Sequence, residues 1–256
     1  MKHFVFSDIH GNWELFTQIK EFLNGFDEWT CIVIGDACDR GPAGYAIMKE
    51  LLADERFVYM MGNHERMFLD AVSDLHNMCR SEKTTLIEQG RLWIEHIDRT
   101  HRADLYFANG GRSTFEAWLD DGAPTDFIAK IKKLPYIVQY NQYDILHAGC
   151  SVFLMEDIDD WSAFEEEEVV WDRTHFIQGW TKGRVLIHGH TPVWHLPHSI
   201  LRMERHTTWT PVVYNDREKI DMDTATFYSG RISLMDLDTG EFHHFATTSA
   251  LPLDFA

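Results

Sequence analysis

The sequence has no long apolar run, no CxxC pair, no linker-like tract and few basic residues, and each absence closes off a class of protein. Nothing approaches the roughly twenty consecutive apolar residues of a membrane-spanning helix. The opening MKHFVFSDIHG reaches Asp8 after a brief apolar run, without the longer apolar region and small-residue cleavage site of a secretory signal, so a cytoplasmic location is expected. The four cysteines, Cys31, Cys38, Cys79 and Cys150, are widely spaced and mostly beside apolar residues, which suits buried reduced thiols better than a disulfide framework or a zinc knuckle. With 23 Lys and Arg against 41 Asp and Glu, the formal net charge of −18 argues against a nucleic-acid or anionic-membrane surface, and bound divalent cations would cancel part of it. No Pro/Gly/Ser-rich linker, repeat or low-complexity tract divides the 256 residues, so one domain is expected, with no obligate partner.

What is present is a strand-to-helix unit repeated three times. His3–Ser7 precedes a helical pattern with Leu15, Phe16, Ile19, Phe22 and Leu23 on one face. Cys31–Ile34 precedes Ile47, Met48, Leu51 and Leu52, and Phe57–Met61 precedes Met67, Phe68, Ala71, Val72 and Leu75. Three such units in series predict an α/β fold. From about Asp74 to Leu134 the chain reads as helices and loops, with Phe127, Ile128, Ile131 and Leu134 on one face. It then turns strand-rich, at Ile137–Tyr140, Asp144–His147, Arg184–His188, Val212–Tyr214, Arg231–Asp236 and Phe242–Ala246, which suggests a second, partly antiparallel sheet. The acidic run Glu165–Glu168 reads as a solvated loop.

The polar motifs SDIHG, GDACDRG, GNHE, HAG and HGHT each follow an apolar strand directly. In open α/β sheets the loops after the strands converge on one crevice, so five such loops can build one site. Taken singly, each has an ordinary explanation: Asp caps a helix, Gly makes a turn, a lone His is a satisfied or exposed residue. Taken together they supply carboxylate, imidazole and amide oxygen, the donors that hard-to-borderline divalent metals use. In an extended segment Asp8 and His10 would project to the same side, and the two oxygens of Asp36 suit a bridge between two ions.

These motifs, in order with NGG, VVWDR and DMDTATFYSGRISLM, resemble over nearly the whole chain the PPP family of serine/threonine phosphatases within the calcineurin-like metallophosphoesterases, its phage and bacterial members nearest. The resemblance implies a four-layer sandwich, two mixed β-sheets flanked by helices, with a mainly helical insert around 74–134 and a long loop around 193–219. It implies one metal held by Asp8, His10 and Asp36 and a second held by Asp36, Asn63, His147 and His190. Gly189-His190-Thr191-Pro192 lacks the final His of the wider superfamily's GHxH, as in the PPP branch. His64 matches the family's general acid and Asp39 the carboxylate that orients it, while Arg40 and Arg173 match the arginines that grip phosphate, beside Asn63. Two divalent cations are implied, manganese by family habit, with iron or zinc compatible.

The activity implied is hydrolysis of phosphomonoesters by a metal-bridging hydroxide, in phosphoserine, phosphothreonine or phosphotyrosine of a phosphoprotein, or in a small phosphorylated substrate. Hydrolysis of diadenosine tetraphosphate or another phosphoanhydride shares these motifs, and a non-catalytic metal-binding scaffold is a third reading. Departures from the pattern are Ser7 and Ala225 in place of Gly, Ala37-Cys38, and His188 at a usually apolar or aromatic position, where a buried hydrogen-bonded His is expected. The 193–219 segment, with Trp194, His195, His198, His206 and Trp209, is longer than in phage relatives and reads equally as surface elaboration or as a wall shaping substrate choice.

Overall fold

The computed structural model describes residues 1–100, 104–151, 166–177, 179–180, 183–203 and 209–250. The three βα units form β1 (Lys2–Phe6), α1 (Trp13–Leu23), β2 (Trp29–Val33), α2 (Gly44–Ala53), β3 (Phe57–Tyr59) and α3 (Asn63–Glu82), with β1–β2 and β2–β3 parallel. Helix α1 starts where the Asn12 side chain accepts a hydrogen bond from Leu15 N at 3.1 Å, and it buries Leu15, Phe16, Ile19 and Leu23, the face that the 3.6-residue period defines. Helices α4 (Leu86–Thr100), α5 (Leu105–Ala108), α6 (Arg112–Asp120) and α7 (Thr125–Ile131) follow, and α7 buries Phe127, Ile128 and Ile131.

The second sheet contains β4 (Ile137–Tyr140), β5 (Tyr143–Leu146), β6 (Val185–His188), β7 (Val212–Tyr214) and β8 (Lys219–Asp221), in the order β4-β5-β6-β8-β7. The last strands, β9 (Arg231–Asp236) and β10 (Phe242–Ala246), do not extend that sheet. They return antiparallel to β1, giving the first sheet the order β10-β9-β1-β2-β3. Each sheet is therefore mixed and five-stranded, flanked by helices. The helices of the later half are α8 (Glu166–Trp171), α9 (His198–Met203) and α10 (Thr226–Ser229). No helix among the described residues is long and apolar enough to cross a membrane.

The two-residue alternation of β1 divides the core. Phe4 and Phe6 point into the cluster shared with the flanking helices, whereas Val5 points the other way, into a cluster with Ile32, Tyr143, Ile145, Ile187, Ile220 and Met235, drawn from both sheets. That second cluster is the layer between the sheets.

One strand was not foreseen and two expectations are corrected. Strand β8 is not legible as an apolar run because Lys219 and Asp221 flank Ile220, yet both charged side chains are buried, and Lys219 Nζ donates to the His175 carbonyl. The segment around 193–219 is not a loop throughout: it carries a 3₁₀ turn at Val193–His195, then α9, β7 and the start of β8. Val193, Leu196, Ile200, Val212 and Tyr214 pack with Phe176 as a small core of their own, and this burial replaces loop with structure. His206 lies outside the described residues. Glu166–Glu168 open α8 rather than a loop, and Glu168 accepts a hydrogen bond from Ser151 N at 3.1 Å, while Glu165 lies outside the described residues.

Candidate metal centre

The carboxyl ends of β1, β2 and β3, and of β5 and β6, deliver the motif residues to one buried place because the strands in each set run parallel. Asp8, His10, Asp36, Asp39, Arg40 and His190 all have positive φ, between 45° and 66°. Such a backbone is disfavoured for residues with a Cβ and persists only where surrounding bonds enforce it. His10 N donates to Asp36 O at 2.9 Å, Gly11 N to Ala37 O at 2.9 Å, Gly41 N to His10 O at 3.1 Å and Gly189 N to His147 O at 2.9 Å. The segment from Asp8 to His10 is therefore not the extended one expected.

Two overlapping triads result: His10, Asp36 and His64; and Asp8, Asp36 and His147. Asp36 belongs to both, with Oδ2 3.6 Å from His10 Nε2 and Oδ1 3.3 Å from His147 Nε2. Asn63 Oδ1 sits 2.9 Å from His147 Nε2 and 2.9 Å from His190 Nδ1. The six expected ligands are thus brought together, with Asp8 in the triad of His147 and His10 in the triad of His64. Asp8 is held in place by hydrogen bonds: Ser7 Oγ donates to Asp8 Oδ2, and His190 N lies 3.1 Å from the same oxygen.

The donor set fits divalent cations. His147 Nδ1 donates to the Ile34 carbonyl at 2.7 Å, and His10 Nδ1 to the Cys38 carbonyl at 3.0 Å, which leaves the Nε2 lone pair of each neutral ring facing the site. Burial lowers the pKa of His147 and, more strongly, those of His10 and His190, and so keeps these rings neutral. Lone pairs of His147 Nε2, Asn63 Oδ1 and Asp36 Oδ1 then converge with no proton between them. His10 Nε2 and His190 Nε2, also buried, have no hydrogen-bond partner among the described residues. Burial raises the carboxyl of Asp8, with the Asp36 charge adding to it, and burial likewise raises Asp36, Asp221 and Asp223. Buried carboxylates and inward lone pairs are costly together unless a cation joins them.

The calcineurin-like phosphoesterase family model matches residues 1–222. The chain belongs to that family. As a calcineurin-like phosphoesterase with two buried His/Asp clusters, it is a metal-dependent phosphoester hydrolase whose site is consistent with a binuclear centre. Solved structures share the fold at low identity. A proposed diadenosine tetraphosphatase is 16% identical with a TM-score of 0.57, the alignment covering 97% of this chain and 95% of that one. A mutant of a cold-active protein tyrosine phosphatase is 15% identical at 0.57, covering 96% and 77%. A protein serine/threonine phosphatase from Saccharomyces cerevisiae is 14% identical at 0.50, covering 100% and 84%. Among curated proteins, none matches the chain at a significant level.

Beside the phosphoesterase's metal candidates, His64 Nδ1 donates to Asp39 Oδ2 at 2.9 Å, and both side chains are fully buried. Burial alone would lower the His64 pKa, but the charges of Asp36 and Asp39 and the bond to Asp39 outweigh it, and the net shift is upward. Asp39 is held in turn: Tyr106 OH donates to its Oδ1 at 3.0 Å, and its own N–H donates to Thr114 Oγ1 at 2.9 Å. Arg40 Nη2 lies 3.1 Å from His64 Nε2 and donates to it. Arg40, Arg173 and His190 line one open cleft of about 690 Å³, where Arg173 Nε donates to Thr191 Oγ1 at 3.0 Å. His188 is the buried hydrogen-bonded histidine expected, with Nδ1 3.1 Å from Gly189 O and Nε2 2.8 Å from Tyr214 OH.

Sequence reasoning missed Tyr106 and Thr114, which come from the helical region and carry no motif. Glu65, within GNHE, carried no expected role. In the structure Glu65 is fully buried and accepts four hydrogen bonds: Oε2 from Asp36 N at 2.8 Å and Gly62 N at 2.9 Å, Oε1 from Ala37 N at 2.9 Å and Tyr59 OH at 2.7 Å. Its place three residues after the N-cap of α3 was the available signal. Glu65→Gln would set an amide NH₂ against at least one fixed backbone N–H whichever oxygen it replaced, so a loss of about 2 kcal/mol is expected in denaturant unfolding. A variant within experimental error of the parent would show that this carboxylate is not what anchors the Asp36 loop. Ser7→Ala removes one donor from Asp8 without touching the donor set. Metal affinity is expected to fall roughly ten-fold on titration, the size of a lost outer hydrogen bond to a ligand.

Proposed function

We propose that this phosphoesterase hydrolyses phosphomonoesters in phosphoproteins, at phosphoserine or phosphothreonine, with phosphotyrosine in the same chemical class, and that residues 1–256 act as one catalytic unit. The observation that carries the reading is the His64–Asp39 pair, buried beside the candidate ligands and 3.1 Å from an arginine that reaches the cleft. Asp8, His10, Asp36, Asn63, His147 and His190 would hold the cations, manganese in the first instance. When bound, two divalent cations lower the pKa of a water molecule and neutralise charge on the phosphoryl oxygens.

The chain's own residues supply the rest. Arg40 and Arg173 offer planar guanidinium donors to phosphoryl oxygens. Once Arg40 engages phosphate, His64 Nε2 is released from its hydrogen bond. Nε2 then takes up a proton from water, and the imidazolium, held by Asp39 and favoured in its charged form by the nearby carboxylates, gives that proton to the leaving oxygen. A serine or threonine alkoxide is a poor leaving group and needs that proton.

The test is a substrate panel on the manganese-supplemented protein: phosphoserine, phosphothreonine and phosphotyrosine peptides, an aryl phosphate, a phosphodiester and diadenosine tetraphosphate. Turnover of the phosphopeptides is expected. Cleavage confined to the dinucleotide would replace this reading with a phosphoanhydride hydrolase, and no turnover with intact metal content would favour a binding scaffold.

A further inference from the structure

The cleft that holds the two arginines is also lined by aromatic rings for which phosphoryl chemistry has no use. Trp194 lies on the 3₁₀ turn that follows His190 by way of Thr191 and Pro192, and Phe227 and Tyr228 lie on α10; all three line the same cleft as Arg40, Arg173 and His190. They are exposed to 37%, 46% and 55%, whereas Trp209, packed behind Trp194 with ring centroids 4.8 Å apart, is buried. The His195 ring stacks on Trp194 at 5.3 Å, and Tyr228 lies 5.6 Å from it. Exposed aromatics scattered singly need no explanation. Here three are gathered on one wall of a polar cleft and braced from behind, which is the construction of a flat apolar subsite with a few placed charges.

We infer that the cleft is a two-part substrate site, in which the arginines take the phosphoryl group and the Trp194–Tyr228 face takes a flat ring attached to it, so that aryl phosphomonoesters, as in a phosphotyrosyl peptide, are the preferred substrates. The inference rests on the phosphomonoesterase reading above and selects within it. The described residues lining the cleft include two guanidinium groups and no lysine, and the whole chain carries a net charge of −18. That balance suits a single phosphoryl dianion and opposes the several charges of a nucleoside polyphosphate. In the reaction, water oxygen bonds to phosphorus as the bond from phosphorus to the phenolic oxygen breaks. One water proton ends on the phenol and the other on phosphate or solvent.

Binding of phenylphosphonate and methylphosphonate to the manganese-loaded protein, measured by calorimetry, tests the subsite without any turnover. The parent is expected to prefer the phenyl compound by about five-fold or more, the size of one aromatic pair contact. Trp194→Ala and Tyr228→Ala should each reduce that preference, and Trp194→Phe should restore most of what Trp194→Ala loses. Because Trp194 packs on Trp209 and its truncation can disturb the fold, Tyr228→Ala decides the matter if Trp194→Ala is unfolded. On peptides of one sequence, the variants should raise KM for phosphotyrosine more than for phosphoserine. Equal binding of the two phosphonates by the parent, absent binding of both, a preference unchanged in the variants, or tighter binding of adenosine monophosphate than of phenylphosphonate would each overturn the inference. Phosphopeptide turnover alongside such a result would leave the phosphomonoesterase reading standing, while turnover of no phosphomonoester would remove that reading itself.

Discussion

Asp36→Asn is expected to lower turnover by roughly a thousand-fold or more and to strip bound metal from the protein, because no other side chain belongs to both candidate triads. The substitution keeps the size of the side chain and an oxygen that can accept the His64 N–H, now bonded to Oδ1 at 3.1 Å. It removes the charge that faces His10 Nε2 through Oδ2 and His147 Nε2 through Oδ1. The backbone N–H of residue 36 remains bound to Glu65, so the loop itself has no reason to move. Burial already disfavours the Asp36 carboxylate, so the neutral variant should fold at least as well as the parent in the absence of metal. Three measurements together decide: elemental analysis of metal per chain, circular dichroism, and turnover of an aryl phosphate. Near-normal turnover with full metal content would sink the assignment of Asp36 as the shared ligand.

His64→Asn carries the second large effect, and its signature is selective. Turnover of alkyl phosphomonoesters should fall about a hundred-fold or more, the usual range for a lost general acid, while aryl phosphates should lose far less because a phenolate leaves without full protonation. Charge explains why the effect is not merely structural: the ring contributes its proton next to Asp39, whose other oxygen remains held by Tyr106. Removing the ring also frees Arg40 Nη2 from its bond to Nε2, which should leave phosphate binding intact or slightly stronger. Equal losses on alkyl and aryl substrates would argue that His64 supports the metal loop rather than the leaving group. That alternative has a geometric basis, since His64 Nε2 lies 3.8 Å from Asp36 Oδ2 and the ring shares a triad with it.

The readability of the chain followed the range of the forces involved. Helix faces in α1, α2, α3 and α7 were legible because burial acts on residues three and four apart in one helix. Most strands were legible from apolar runs, and β8 was not, because its Lys219 and Asp221 are buried by tertiary packing, against a β6 that lies about thirty positions earlier, and not by any local apolar pattern. The pairing of β9 with β1 joins residues more than two hundred positions apart, a partnership that no local pattern carries. At the site, the identity of each polar residue was legible because metal chemistry is selective about donor type, and each donor sits in a short motif after a strand. Its orientation was not, because positive φ at Asp8 and His10 is imposed by bonds from other loops.

By itself the sequence determined the donor inventory and the α/β class: which carboxylates, imidazoles and amide are available, that they follow strands, and that the chain resembles the metal-dependent phosphatases. Tertiary structure alone decided that His190 N binds the Asp8 carboxylate, that Glu65 pins the Asp36 loop, and that Trp194 and Tyr228 meet beside the arginines. The physical reason is range. Donor type and helix periodicity are properties of neighbours in the chain, whereas a hydrogen bond across 182 positions, as between His190 N and Asp8, exists only after both sheets have packed.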